Sequence, residues 1–400
     1  MSNLDPYREA GNPMFNDNKL KLGIFGSNCS NACAMTLAET TFEPTFEKNL
    51  EIARLLESAG FECMVPIAHW RGFGGPSNFN GNNMETYTWA AALAAVTNSI
   101  ALFATSHVPT IHPIVAAKMA TTIDHIAKGR FGINIVCGWF TPEMEMFGVK
   151  QMEHDVRYEH ASEWIEIVIK LWTEQYFDYE GKFLTVKDGF SDPKPYQKPR
   201  PLLIGAGTSP KGREFAARYC DINFAVIEDL GNCRDWVNAI KKLAWDKHRR
   251  EIGTFTMCYA VVRDTEREAR EYYNYYVHEK GDREAADNVC RLFGLQSESC
   301  SKEYIDKFRE NFIAGWGGYP LVGTSEQVTD RLLELSRTGV GGTLISMVDY
   351  NQELPYWNAN VMPLLEQAGL RKPHVRGTAT NESQKSFSGL TQAHNSPHTR

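Results

Sequence analysis

The chain has 400 residues, 42% hydrophobic and 23% charged, with 42 Lys and Arg against 49 Asp and Glu for a formal net charge of -7. That length exceeds one ordinary domain but suits a β/α barrel with insertions, and the mild acidity leaves no basic face for nucleic acid or an anionic membrane. No run of 18 apolar residues occurs and MSNLDPYREAG lacks an apolar signal core, so a soluble, cytoplasmic enzyme acting on a small molecule is expected.

After an N-terminal extension over residues 1–19, Leu20 to Phe25 predicts the first strand. Gly26-Ser27-Asn28 opens a polar loop that runs to about Phe42, and the following amphipathic helix closes at Gly60. Glu62 to Ile67 predicts the next strand, followed by the loop His69-Trp70-Arg71-Gly72-Phe73-Gly74-Gly75, which is glycine-rich, aromatic and cationic. A helix over Glu85 to Val96 leads to Ile100–Ala104, a short apolar strand with Thr105 at its C-terminal end.

Pro113 then stands where a first helical residue tolerates proline, and Val115, Ala116, Met119, Ala120 and Ile123 recur at helical spacing. Lys128-Gly129-Arg130 stops that helix, and Phe131 to Val136 predicts a buried strand that contains Asn134 and runs into Cys137-Gly138-Trp139. An amide inside a buried strand needs a partner. Asn134 is therefore either a satisfied core asparagine or a ligand contact at the mouth of a parallel barrel.

Thr141 to Met152 interrupts the alternation as an insertion, and His154 leads an amphipathic helix ending near Trp172. Tyr176 to Val186 predicts a surface hairpin turning at Glu180-Gly181, and four prolines between 193 and 201 make a stiff connector. Leu202–Ile204, Asp221–Val226, Thr254–Val262 and Gly342–Met347 supply further strands, with helices near Arg213–Tyr219, Arg234–Trp245, Glu266–Val277, Ser325–Arg337 and Trp357–Gln367. Lys280 to Pro320 predicts a long lid, and the polar stretch 372–400 a disordered tail.

Eight strand-like segments alternating with helices, without a dinucleotide-binding glycine fingerprint after the first, predict a closed α/β (β/α)8 TIM barrel over residues 20–371. Insertions are expected at about 140–153, 174–200 and 280–320. Nine cysteines without CxxC spacing suit reduced thiols, with Cys29 and Cys33 placed to flank the mouth of a site. No metal motif, GxSxG elbow or GxxxxGK loop is present.

Polar and aromatic residues at successive strand ends remain: His69, Arg71, Thr105, Asn134, Gly138, Trp139, Tyr158 and the turn Gly207-Thr208-Ser209. That set suits a flat heterocycle with a phosphate tail. The amides of Gly207 to Ser209 can cradle an anion at a helix N-terminus, with Tyr158 as a second donor, or can simply make a tight turn. His69 is either a general acid or base near neutral pH or a packing residue with one hydrogen bond.

The segments IAHWRGFGG, NNMETYTWAAALAAVT, MATTIDHIAKGRFGINIVCGW, EHDVRYEHASEWIEIVIKLW, FDYEGKFLTVKD, GAGTSPKGREFAARYCD, LVGTSEQVTDRLLEL and GVGGTLISM carry a resemblance. As a set they resemble the bacterial luciferase-like, reduced-flavin-dependent monooxygenases, most nearly the pyrimidine and dimethyl-sulfone monooxygenase groups. The resemblance implies a luciferase-like TIM barrel that uses FMN, delivered as FMNH2 by a separate NAD(P)H:flavin reductase, and O2 to cleave a carbon–heteroatom bond in a small molecule. It implies catalytic roles for Thr105 and Asn134 beside an oxygen pocket, FMN contacts at Gly138, Tyr158, Gly207, Thr208 and Ser209, and no metal. His69, Arg71 and Trp139 are expected to face the substrate, His69 also acting in catalysis, in a homodimer or homotetramer. Within the same superfamily the alternatives are a riboflavin-lyase-like enzyme, a deazaflavin-dependent dehydrogenase and a non-catalytic flavin-binding protein.

Overall fold

The computed structural model describes residues 2–295 and 301–374. Its strands are β1 (Lys21–Phe25), β2 (Cys63–Val65), β3 (Ala101–His107), β4 (Phe131–Val136), β5 (Phe177–Glu180), β6 (Thr185–Gly189), β7 (Leu202–Gly205), β8 (Ile222–Phe224), β9 (Gly253–Val262), β10 (Tyr319–Gly323) and β11 (Gly342–Ser346). Parallel pairing runs β1-β2-β3-β4-β7-β8-β9-β11 and closes through β11 onto β1, an eight-stranded barrel. β5 and β6 form the separate antiparallel hairpin expected at Glu180-Gly181.

Alternation along each strand divides the core into two layers. Leu22, Ile24, Leu102, Ala104, Ile133 and Ile135 point outward into the cluster shared with the helices, while Ala101, Phe103, Leu202, Ile204, Phe255 and Met257 fill the interior. Thr105 and His107 continue the inward parity of Ala101 and Phe103, so the polar residues of β3 face the top of the barrel. The N-terminal segment closes the bottom: Leu4, Tyr7 and Met14 join the interior cluster, and the Tyr7 hydroxyl donates to the Arg200 carbonyl at 2.9 Å.

The region expected to be a long lid is largely helical within its described residues. Helices Arg283–Leu292 and Lys302–Gly315 lead into β10, which among the described residues pairs with the second half of β9 alone. Pro320 in β10 masks this strand in the sequence, since proline lacks the amide a central strand needs but is tolerated at an edge. These helices knit to the loops after β1 and β2: the Leu37 amide donates to Lys280 O at 2.8 Å, Asp282 N to Met35 O at 2.8 Å, and Asn288 Nδ2 to Phe73 O at 2.6 Å. A second apolar cluster built on Met35, Phe73, Phe79, Phe140, Tyr276 and Phe312 results, a cap above the strand C-termini. The helix Thr141–Met146 occupies the first expected insertion. The predicted tail from residue 375 onward lies outside the described residues.

Candidate active site

A cavity of about 880 Å³ opens between the C-terminal ends of the strands and the cap. That volume falls within the range of small-molecule and cofactor sites. Its floor is set by one chain of hydrogen bonds. The Thr105 hydroxyl donates its only proton to the Pro66 carbonyl at 2.5 Å, so its oxygen is left to accept, and Asn134 Nδ2 donates to it at 3.1 Å. β3 and β4 place the two residues opposite each other in register, which makes the contact possible. Anchoring Nδ2 fixes the amide, and Asn134 Oδ1 is left buried without a partner among the described residues. A buried acceptor in that state costs about 1–3 kcal/mol unless a ligand donor reaches it.

Toward one end, Gly138 takes a positive φ of 81° where a Cβ would meet Pro109, and its carbonyl accepts from Arg157 Nη1 at 2.6 Å and Gln151 Nε2 at 3.2 Å. Arg157 Nε and Gln151 Oε1 are buried in the same wall without a partner among the described residues. Tyr158, the next residue on that helix, packs over the glycine turn so closely that a Cβ on Gly207 would stand 2.5 Å from Gly212 Cα and 2.8 Å from the Tyr158 hydroxyl. Ser209 caps the helix Pro210–Tyr219 by accepting from Gly212 N at 3.1 Å, and Asn223 Nδ2 holds the turn from below through the carbonyls of Gly205 and Gly207. Burial raises the Tyr158 hydroxyl above its ordinary pKa, keeping it a donor. A guanidinium with a spare N–H, a phenol and a helix N-terminus are the donor set a phosphate requires.

The opposite wall is aromatic. Trp139 stacks on Phe293 at 5.3 Å, and Trp316, in a left-handed conformation at the end of the cap helix, packs against Phe73 and Phe79. His69 stands edge-on to Phe73 and Phe140 and hydrogen-bonds through Nδ1 to Glu143 Oε1 at 2.9 Å. Glu143 is fully buried. Its second oxygen lies 3.2 Å from His107 Nδ1, and the Trp70 amide donates to Oε1 at 2.7 Å. Burial works against the Glu143 charge, yet His107 and His69 beside it hold the carboxyl down to about 2. Burial likewise lowers the His69 pKa, with Glu143 opposing, so that imidazole is neutral near pH 7.

His69, Thr105, Asn134, Gly138, Trp139, Tyr158, Gly207 and Thr208 therefore line one cavity, with Ser209 just behind its wall. Arg71 does not: it is exposed, because the loop after β2 turns outward at Trp70 once the Trp70 amide is tied to Glu143. Cys29 and Cys33 are also not at the mouth, but fully buried beneath the cap with their sulfurs near the carbonyls of Ile67 and Phe25. Sequence reasoning missed His107, Glu143, Gln151, Arg157 and Asn80. His107 was within reach, two residues beyond Thr105 and so on the same strand face. Among the described residues, no group of three or more His, Cys, Asp or Glu side chains is arranged to hold a metal ion, and no helix is long and apolar enough to cross a membrane.

Residues 22–342 match the model of the luciferase-like monooxygenases. A pyrimidine monooxygenase RutA from Bradyrhizobium sp. is 32% identical over 88% of this chain and 99% of its own length. Among solved structures, the riboflavin lyase RcaE superposes with a TM-score of 0.78 at 22% identity, covering 88% of this chain and 92% of that one. The long-chain alkane monooxygenase LadA superposes with 0.77 at 22% identity over 90% and 94%.

Proposed function

The chain belongs to the luciferase-like monooxygenase family, and from that premise we propose that it is a two-component enzyme. It oxygenates a small planar N-heterocycle, or failing that a sulfone, and cleaves a carbon–heteroatom bond, using FMNH2 from a separate NAD(P)H:flavin reductase and dioxygen. One observation carries this: the fixed Asn134 amide, whose unpartnered Oδ1 sits on the cavity floor beside Thr105. It fits the N–H of a flat heterocycle. The phosphate end fits equally, through the spare Arg157 Nε, the Tyr158 hydroxyl and the Gly207-Thr208-Ser209 turn. Reduced FMN, when bound, supplies the electrons that activate dioxygen.

The protein's own part is binding, orientation and exclusion of water. The Thr105 hydroxyl is spent on Pro66, so a hydrogen bond toward oxygen on this floor comes from the second Asn134 N–H rather than from the threonine. Trp139, Phe293 and Trp316 give the substrate side flat apolar faces, with His69, His107 and Asn80 as polar groups in the same lining. A planar substrate stacks there; the relative named for pyrimidines points the same way.

The test is anaerobic addition of FMNH2, admission of oxygen, and mass spectrometry on a panel of pyrimidines, other N-heterocycles, sulfones and riboflavin. Oxygen uptake with one labelled oxygen atom in a panel product is expected. Absence of the label from every panel product, with all the oxygen consumed recovered as the hydrogen peroxide that free FMNH2 also gives, refutes the monooxygenase reading in favour of a hydride-transferring or merely flavin-binding relative, and a product from riboflavin moves the substrate to a flavin.

A further inference from the structure

Two imidazoles share one buried carboxylate at the edge of the cavity. His69 Nδ1 and His107 Nδ1 lie 2.9 and 3.2 Å from the two oxygens of Glu143, the rings 6.4 Å apart between centroids. Both histidines line the cavity, whereas Glu143 lies behind them with no exposure. The carboxylate is itself pinned by the Trp70 amide, while His107 Nδ1 and Glu143 Oε2 face each other at 3.2 Å without a well-aligned hydrogen bond, and neither has another partner among the described residues. A carboxylate can only accept. His69 therefore carries its hydrogen on Nδ1, and the same tautomer lets His107 turn an N–H rather than a second lone pair toward Glu143 Oε2, so each ring keeps a lone pair on Nε2, the edge turned away from Glu143.

We propose that Glu143 is a positioning residue that makes the Nε2 atoms of His69 and His107 a paired proton acceptor for a substrate N–H or O–H. This rests on the monooxygenase reading for its substrate but not for its geometry. In the step itself the substrate X–H bond breaks and an Nε2–H bond forms, leaving an imidazolium facing the Glu143 carboxylate. The proton leaves from Nε2 to the product heteroatom or to water. A carboxylate behind an imidazole holds the productive tautomer and stabilises the cation that forms. The serial arrangement of carboxylate and one imidazole is here doubled, so either ring can take the proton while its partner stays an acceptor. Cys29 also faces the cluster, and burial keeps its thiol protonated.

The test uses the full chain labelled with 15N in its histidines, without flavin. At pH 7.5 the wild-type spectrum is expected to show two buried histidines with protonated Nδ1 and unprotonated Nε2, both lost as a pair in the His69→Gln, His107→Gln double variant. Glu143→Gln, whose amide donates to one ring and accepts from the other, is expected to switch one of the two to the Nε2–H tautomer. With a panel substrate that turns over, the same variant should lower product formation about 100-fold, and the acid limb of its pH profile should move to lower pH, while oxygen uptake by FMNH2 continues. Protonated Nε2 on both rings in the wild type overturns the proposal, and so does a pH limb that stays in place while only the melting temperature falls. Failure of every panel substrate to react touches the monooxygenase reading alone, because the tautomer measurement needs no turnover. Should Glu143→Gln not fold, the wild-type spectrum and that of His107→Gln, in which His69 Nε2 must stay unprotonated, still decide.

Discussion

Replacing Thr105 by valine tests the floor of the site with almost no change in side-chain shape. Thr105 is 6% exposed, and its hydroxyl makes two hydrogen bonds, to Pro66 O at 2.5 Å and from Asn134 Nδ2 at 3.1 Å. Losing both costs about 2 kcal/mol at about 1 kcal/mol each. For a chain of 400 residues an unfolding entropy of about 2 cal/mol/K per residue turns that into a melting-temperature drop of only about 2–3 °C. The effect on chemistry is expected to be larger. With its anchor gone the Asn134 amide is free to rotate, and removal of one preorganised polar contact typically costs about 100-fold or more in turnover. The assay is product formed per dioxygen consumed, with hydrogen peroxide as the by-product. Thr105→Val should consume oxygen near the wild-type rate but convert it mainly to peroxide, and Thr105→Ser, which keeps the hydroxyl, should recover coupling. Wild-type coupling in Thr105→Val, at the small expected loss of stability, refutes the role assigned to the Pro66–Thr105–Asn134 chain.

Three further outcomes are expected. Tyr158→Phe should weaken FMN but not riboflavin, by about 1–3 kcal/mol for a hydrogen bond to a charged group, as read by fluorescence titration; equal weakening of both removes Tyr158 from the phosphate end. Gly207→Ala drives a Cβ toward Gly212 and the Tyr158 hydroxyl, so it should displace Tyr158 and cost FMN affinity together with about 1–3 kcal/mol of stability, measured by urea unfolding. Glu143 has its folded pKa depressed to about 2 from an ordinary 4.5, so the stability it contributes is present above about pH 4.5 and lost as pH falls toward 2, worth about 3 kcal/mol by linkage. His69 adds a separate loss that begins as pH falls below 6.5, since its neutral form is the one folded. Glu143→Gln should flatten the lower of these two limbs in urea midpoints taken between pH 5 and 2, and an unchanged limb assigns it to other carboxylates.

What the sequence disclosed and what it hid divide along the range of the interactions involved. Asn134 was legible because a lone amide interrupts an apolar strand, and Thr105 because it ends the preceding one; both signals lie within a few residues. The barrel followed from local alternation repeated along the chain. β10 escaped because Pro320 argues against a strand, a local rule overruled by an edge position that only the fold defines. Glu143 shows the limit most sharply. In TPEMEM it reads as one acid in a short surface insertion, and its meaning comes from His69, His107 and the Trp70 amide, which converge on it from β3 and from the loop after β2. The same convergence removes Arg71 from the cavity, because the bond that ties Trp70 to Glu143 also turns the loop outward one residue later. A single buried carboxylate thus decides which residues of HWR reach the site, and that choice is made in three dimensions.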